Sequence, residues 1–191
     1  VGEAPGKNEA EQGRPFCGAS GRVLDELLAS IGIPRKDVYI TNIVKDRPPM
    51  NRDPLPNEIE AYVQFLDRQI EIIQPKIIAT LGRFSMTYIM NKLGLSAKLR
   101  SISQTHGKLF NVKTIYGPVK IIPLYHPAVA VYNGRMKETL MLFVVMEPLR
   151  RKHGGNDRHL GFELDLHQGI DYGACDEFVP RITRHDYTDN T

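Results

Sequence analysis

The 191-residue chain is 41% hydrophobic and 25% charged, a composition of one folded domain with a real core and not of a fibrous or disordered polypeptide. No apolar run reaches the length of a membrane span and no charged-then-apolar leader is visible, so a cytoplasmic protein without a membrane segment is expected. The net charge of +3 permits a polyanionic partner without demanding one, and two cysteines without CxxC spacing, Cys17 and Cys175, fit a reducing compartment and rule out a metal site built from cysteine alone.

The chain enters GEAPGKNEAEQGRPFCGASG (residues 2–21) at once, with five glycines and two prolines in twenty residues. Any strand feeding this loop is expected to be missing or very short, as in a chain that begins late. Residues 21–31 carry Val23, Leu24, Leu27, Leu28 and Ile31 at helical spacing, and Gly32 ends the run. VYITNIV (38–44) predicts a buried strand containing one amide, Asn42. A proline-rich loop, KDRPPMNRDPLP (45–56), leads to a helix capped by Asn57 and running to about Ile73. KIIATL (76–81) predicts a second strand, Gly82 its turn, and Phe84–Leu93 a helix. Strands follow at 108–112 and 119–124, joined by a turn at Gly117-Pro118, and a last helix runs from about Arg135 to Leu149. Strands alternating with helices predict an α/β fold, three-layer α/β/α around a central parallel sheet. The domain is bounded at 1–150. From Arg151 the chain is rich in Gly, Asp, His and Arg, and residues 151–191 are read as an appended segment of unknown role.

In an open α/β sheet, ligands bind at the carboxyl ends of the strands. The opening loop, Asn42, Gly82-Arg83 and His126-Pro127-Ala128 all fall there. Each has two readings. His126 donates to an oxygen that gains charge, or caps a turn. Asn42 reads the edge of a nucleobase with its paired donor and acceptor, or bonds its own loop. Phe16 stacks on a base, or anchors the loop in the core. Glu3 and Glu9 are general bases or solvated carboxylates. Lys45, Arg47, Arg52, Arg83, Arg135 and Lys137 flank the same loops, with Asn51 among them, and are phosphate contacts or ordinary surface charges.

GEAPG, GRPFCGASG, YITNIVKDRPP, NRDPLPNEIEA, PKIIATLGRFS and YHPA, in this order, resemble the family 4 uracil-DNA glycosylases over roughly residues 1–150. The resemblance implies a glycosylase that cuts the N-glycosidic bond of a flipped pyrimidine, uracil by default, in single- or double-stranded DNA during base-excision repair. It implies that Phe16 stacks on the base, Asn42 reads its Watson–Crick edge, Glu9 lies near C5 and His126 donates to O2. In related enzymes with a GQDPYH motif an aspartate helps activate water. The corresponding slot is Ala4 here, and Glu3 beside it is the nearest carboxylate.

Two departures qualify the resemblance. The family typically holds a [4Fe–4S] cluster on four cysteines, two of them upstream of GEAPG and two at the positions of Asp46 and Tyr62, so no cofactor and no metal are expected. The segment from Arg151 is foreign to the family. A glycosylase for C5-modified cytosine in phage DNA, acting in antiviral defence, is one alternative, and a non-catalytic DNA-binding module is another. The loop after Asn42 lacks histidine, which implies turnover without a covalent adduct. A monomer is expected.

Overall fold

A computed structural model describes residues 1–137 and Leu140; most of the expected last helix and all of the segment 151–191 lie outside those residues. The described elements are α1 (Lys7–Gln12), α2 (Ala19–Ser30), α3 (Pro56–Ile73), β1 (Ile77–Leu81), α4 (Arg83–Lys92), α5 (Ile102–Thr105), β2 (Phe110–Thr114), β3 (Gly117–Leu124) and α6 (Ala128–Tyr132).

Strand β3 lies between β1, to which it is parallel, and β2, to which it is antiparallel. The sheet extends past β1 through the first residues of the chain. Val1 donates to Ala79 O at 2.7 Å and accepts from Leu81 N at 2.8 Å, the staggered pattern of a parallel pair. On its far side Gly2 N donates to Thr41 O, while Ile43 N and Val44 N donate to the carbonyls of Gly2 and Glu3. The rows therefore run 41–44, 1–3, β1, β3, β2.

Three expectations change. The stretch 38–44 is not a full strand: only 41–44 pairs, along residues 1–3, and Tyr39 before it is exposed. The sheet is mixed, since β2 turns back onto β3 through Ile115 and Tyr116 alone; Gly117-Pro118 opens β3 instead of making the turn. Helix α3 begins at Pro56 after Leu55, whose N–H donates to Glu58 Oε2 at 2.8 Å, so Asn57 is inside the helix and is not its cap.

Alternation along the strands builds two cores. Ile78, Val119 and Ile121 face Leu66 and Ile70 of α3 and Met86, Ile89 and Met90 of α4. Ala79, Leu81, Ile122 and Leu124 face Phe16 and Leu24, the latter on α2. With helices packed on both faces, the three-layer arrangement follows. All chain segments flagged for chemistry leave this sheet at one end, after 1–3, 41–44, β1 and β3.

Candidate functional site

At that end a cavity of about 190 Å³ opens between the loops, and Glu3, Glu9, Phe16, Asn42, Asn51 and His126 all stand on its wall. Phe16 is 5% exposed and held at φ 52°, a left-handed conformation that a bulky residue adopts only when its surroundings force it. They do so here. Its carbonyl presses against Gly21 of α2, where a β-carbon would stand 1.9 Å from that oxygen. The Phe16 ring joins the core beneath and also lines the cavity, so loop anchor and base platform are compatible in this geometry.

His126 follows β3 directly. Its ring centroid is 5.5 Å from that of Phe16, with the planes 32° apart. The N–H of Ala128 donates to His126 Nδ1 at 3.2 Å, which assigns the ring proton to Nε2. Burial is the main cause that lowers the His126 pKa to about 4, so the imidazole is neutral at physiological pH and presents one N–H.

Asn42 is 4% exposed, and its Oδ1 has no hydrogen-bond partner among the described residues. An amide oxygen left without a partner in a buried site costs free energy, which a ligand donor would offset. Glu9 is tied down: its Oε1 accepts from Cys17 N at 3.0 Å and Gly18 N at 2.7 Å. The Glu3 carboxyl is held above the usual range, first by burial and then by the charge of Asp53, with Arg83 opposing.

The basic residues divide. Arg52 lines the cavity and makes a two-pronged pair with Glu58, at 2.6 and 2.8 Å. Arg47 donates to Asn51 Oδ1 at 2.7 Å. Arg83 pairs with Asp53, and its guanidinium lies 4.6 Å over the Phe84 ring. Arg135 is exposed, and Lys137 pairs with Glu26 of α2. Lys45 is turned inward, onto Asn42 O (2.7 Å), Thr41 Oγ1 (2.9 Å) and Gln69 Oε1 (3.0 Å), so its three N–H groups are engaged. Sequence reading missed this network because Gln69, on α3, has nothing local to mark it. It also passed over Gly2, wedged between Asn42 and Phe16. A larger hollow of about 720 Å³ along α4 includes Arg83 but none of the cavity residues named above.

At the two positions where the resemblance places cluster cysteines, the Tyr62 hydroxyl donates to Asp46 Oδ2. Burial and this bond push the Tyr62 pKa up to about 12. Two oxygen groups satisfying each other do not fit an iron–sulfur cluster, which takes thiolates.

The family model described as the Uracil DNA glycosylase superfamily matches residues 1–147. A type-4 uracil-DNA glycosylase from Archaeoglobus fulgidus is 48% identical over 138 residues, which cover 72% of this chain and 68% of that protein. Those from Sulfurisphaera tokodaii and Saccharolobus solfataricus are 49% and 48% identical, covering 73% of this chain in each case and 63% and 64% of theirs. The chain thus spans about two thirds of the length of these relatives. With a match across all the described residues and an α/β sheet bearing its site at one end, the chain belongs to the uracil-DNA glycosylase superfamily.

Proposed function

We propose that this protein is a monofunctional DNA glycosylase that removes uracil from DNA and leaves an abasic site, as in base-excision repair. The observation that carries the reading is the partnerless Asn42 Oδ1, buried in the same cavity as the Phe16 ring and His126. Uracil presents N3–H, a donor, between two carbonyl oxygens. Asn42 Oδ1 accepts from N3–H while its amide N–H donates to O4. Cytosine presents an acceptor at N3 and an amino group at C4, which meets this orientation with like against like. Phe16 carries the face of the extruded ring, and stacking of this kind is worth about 1–3 kcal/mol per base.

The bond from N1 to C1′ breaks with its electron pair moving to the base, whose O2 gains negative charge. His126 Nε2–H points its donor at that charge. A hydrogen bond that strengthens as the transition state forms, from a neutral group needing no proton transfer, contributes about 3 kcal/mol. Water adds to C1′, and its proton passes to Glu3, the carboxylate whose raised pKa suits proton acceptance. Contacts from Arg47, Asn51, Arg52, Arg83, Arg135 and Lys137 would hold the phosphates. Asp46 and Tyr62 brace the loop after Asn42 against α3 by their own bond, and no step uses a metal. Among the described residues no helix is long and apolar enough to cross a membrane.

The test uses oligonucleotides bearing one uracil, followed by alkali to cut abasic sites. Strand scission is expected with the wild-type protein. His126→Ala should cut about 100-fold more slowly while binding DNA equally. An uncut uracil strand alongside cutting of hydroxymethylated cytosine would replace uracil as substrate, and no cutting of any base would favour the binding module.

A further inference from the structure

The hollow of about 720 Å³ along α4 has no part in the chemistry above. Its volume is in the range of about 300–1,000 Å³ that small-ligand sites occupy. Helix α4 carries two stripes. Ser85, Met86, Ile89 and Met90 are buried. Phe84, Thr87, Tyr88 and Asn91, at i, i+3, i+4 and i+7, line the hollow instead. Two of these four carry half-buried aromatic rings, and the other two present an exposed hydroxyl and an exposed amide.

Charge selects the occupant. The helix, RFSMTYIMNK, holds Arg83 at one end and Lys92 at the other, with no carboxylate between them. At about 14 Å along the axis, these cations stand farther apart than successive phosphates of one strand. Asp67 of α3 touches two residues of the hollow, and both its oxygens are engaged. Its Oδ1 accepts from the Tyr88 hydroxyl at 2.7 Å, and its Oδ2 pairs with Lys92 Nζ at 2.6 Å. Aromatic faces between cations, with an amide and a hydroxyl for polar edges, are the composition of a path for unpaired nucleotides. The hollow also adjoins the cavity. Arg83 pairs with Asp53, and Arg52, next to Asp53, stands on the cavity wall. The Arg83 guanidinium lies 4.6 Å over the Phe84 ring. A phosphate that draws Arg83 aside therefore bares the face of that ring to a base.

We propose that this hollow is a second nucleotide subsite, in which a base flanking the uracil on the same unpaired strand stacks on Phe84. This rests on the reading of the cavity as a uracil pocket. In a duplex the flanking base stays paired and stacked, so the subsite serves single-stranded DNA alone.

The experiment measures the anisotropy of labelled oligonucleotides carrying one 2′-fluorinated uracil nucleotide, which resists cleavage. Each flanking base in turn is replaced by a tetrahydrofuran linker, which keeps the phosphate. With the wild-type protein, base removal at one position on one side of the uracil should weaken single-strand binding about tenfold. Phe84→Leu and Asn91→Glu should weaken binding of the intact strand by about as much, and show no further loss when that base is removed. Both should stay within about twofold of wild type on the annealed duplex. Thermal midpoints read folding, and Asn91, exposed on α4, tests the hollow without touching the core. A scan with no sensitive position would overturn the subsite. So would losses that add in full when variant and base removal are combined, or equal weakening on the duplex. On the unmodified uracil strand, cutting with a flat scan would leave the glycosylase and remove the subsite. A sensitive position without cutting would keep the subsite and sink the glycosylase reading.

Discussion

A β-carbon on Gly2 would stand 2.3 Å from Asn42 Oδ1 and 2.6 Å from the Phe16 ring. Neither neighbour is free to retreat: Phe16 is clamped against Gly21, and Asn42 is in the sheet. One missing methyl group therefore lets the amide and the aromatic stand side by side. Gly2→Ala should move both at once. We expect turnover on uracil DNA to fall by roughly 10- to 100-fold, with a stability loss of about 1–3 kcal/mol from overpacking. Steady-state kinetics and denaturant unfolding check the two parts separately. A variant with wild-type turnover would show that the amide and the ring need no such fixed approach. Phe16, Asn42 and His126 stood out in the sequence because an aromatic in a Gly/Pro loop, an amide at a strand end and a histidine before proline are unusual locally. Gly2 did not, because its constraint comes from residues 14 and 40 positions away.

At the scale of elements, Lys45 joins the 41–44 row to α3 through Thr41 and Gln69, and its third bond holds the backbone carbonyl of Asn42. It was expected to face DNA with the other cations. A phosphate contact and a positioning role give different results in Lys45→Met. If the lysine positions Asn42, kcat falls about tenfold, KM and DNA affinity barely change, and the slope of log affinity against log salt is kept; loss of a phosphate contact instead flattens that slope by about one. Burial lowers the Lys45 pKa to about 8. As pH rises through 8 the folded ammonium loses a proton and one N–H, so kcat should decline on the alkaline side and this limb should shrink in the Met variant. Stability moves the other way: between pH 8 and 10.5 the unfolded lysine holds more protons than the folded one, so its contribution to stability rises with pH. How well the elements could be read follows the same division between local and distant causes. α3, β1 and β3 carry long runs at one period and were plain. α1, KNEAEQ, has only one small apolar residue to show a face and reads as loop in the sequence. The direction of β2 was legible in principle, since a link of two residues makes a hairpin and cannot make a crossover.

For the whole molecule, the net charge of +3 does not say which cations face DNA, and among the described residues several of those proposed as phosphate contacts are already paired. Arg52 is engaged with Glu58, Arg83 with Asp53 and Lys137 with Glu26. These pairs are not equal. Arg52 is held by both prongs, and Glu58 also accepts from Leu55 N, so this pair serves the entry of α3. Arg83 and Asp53 are 61% and 64% exposed, in the range where an ion pair is worth only about 0–1 kcal/mol. A phosphate with the same charge as Asp53 can replace it at little cost. Under the proposed role of Arg83 as a phosphate contact, its pair with Asp53 competes with that contact. Asp53→Asn should leave the thermal midpoint nearly unchanged. It should tighten binding to uracil-bearing single-stranded DNA and make the slope of log affinity against log salt steeper by up to about one, because Arg83 no longer has a competing carboxylate. Asp53 also helps to hold the Glu3 pKa up, so the same substitution should shift the acid limb of turnover to lower pH. Fluorescence anisotropy across a salt series and a pH–rate profile read the two effects. Affinity and slope identical to wild type would mean that the Arg83 guanidinium does not reach the DNA backbone, and the proposed phosphate track would then run without it.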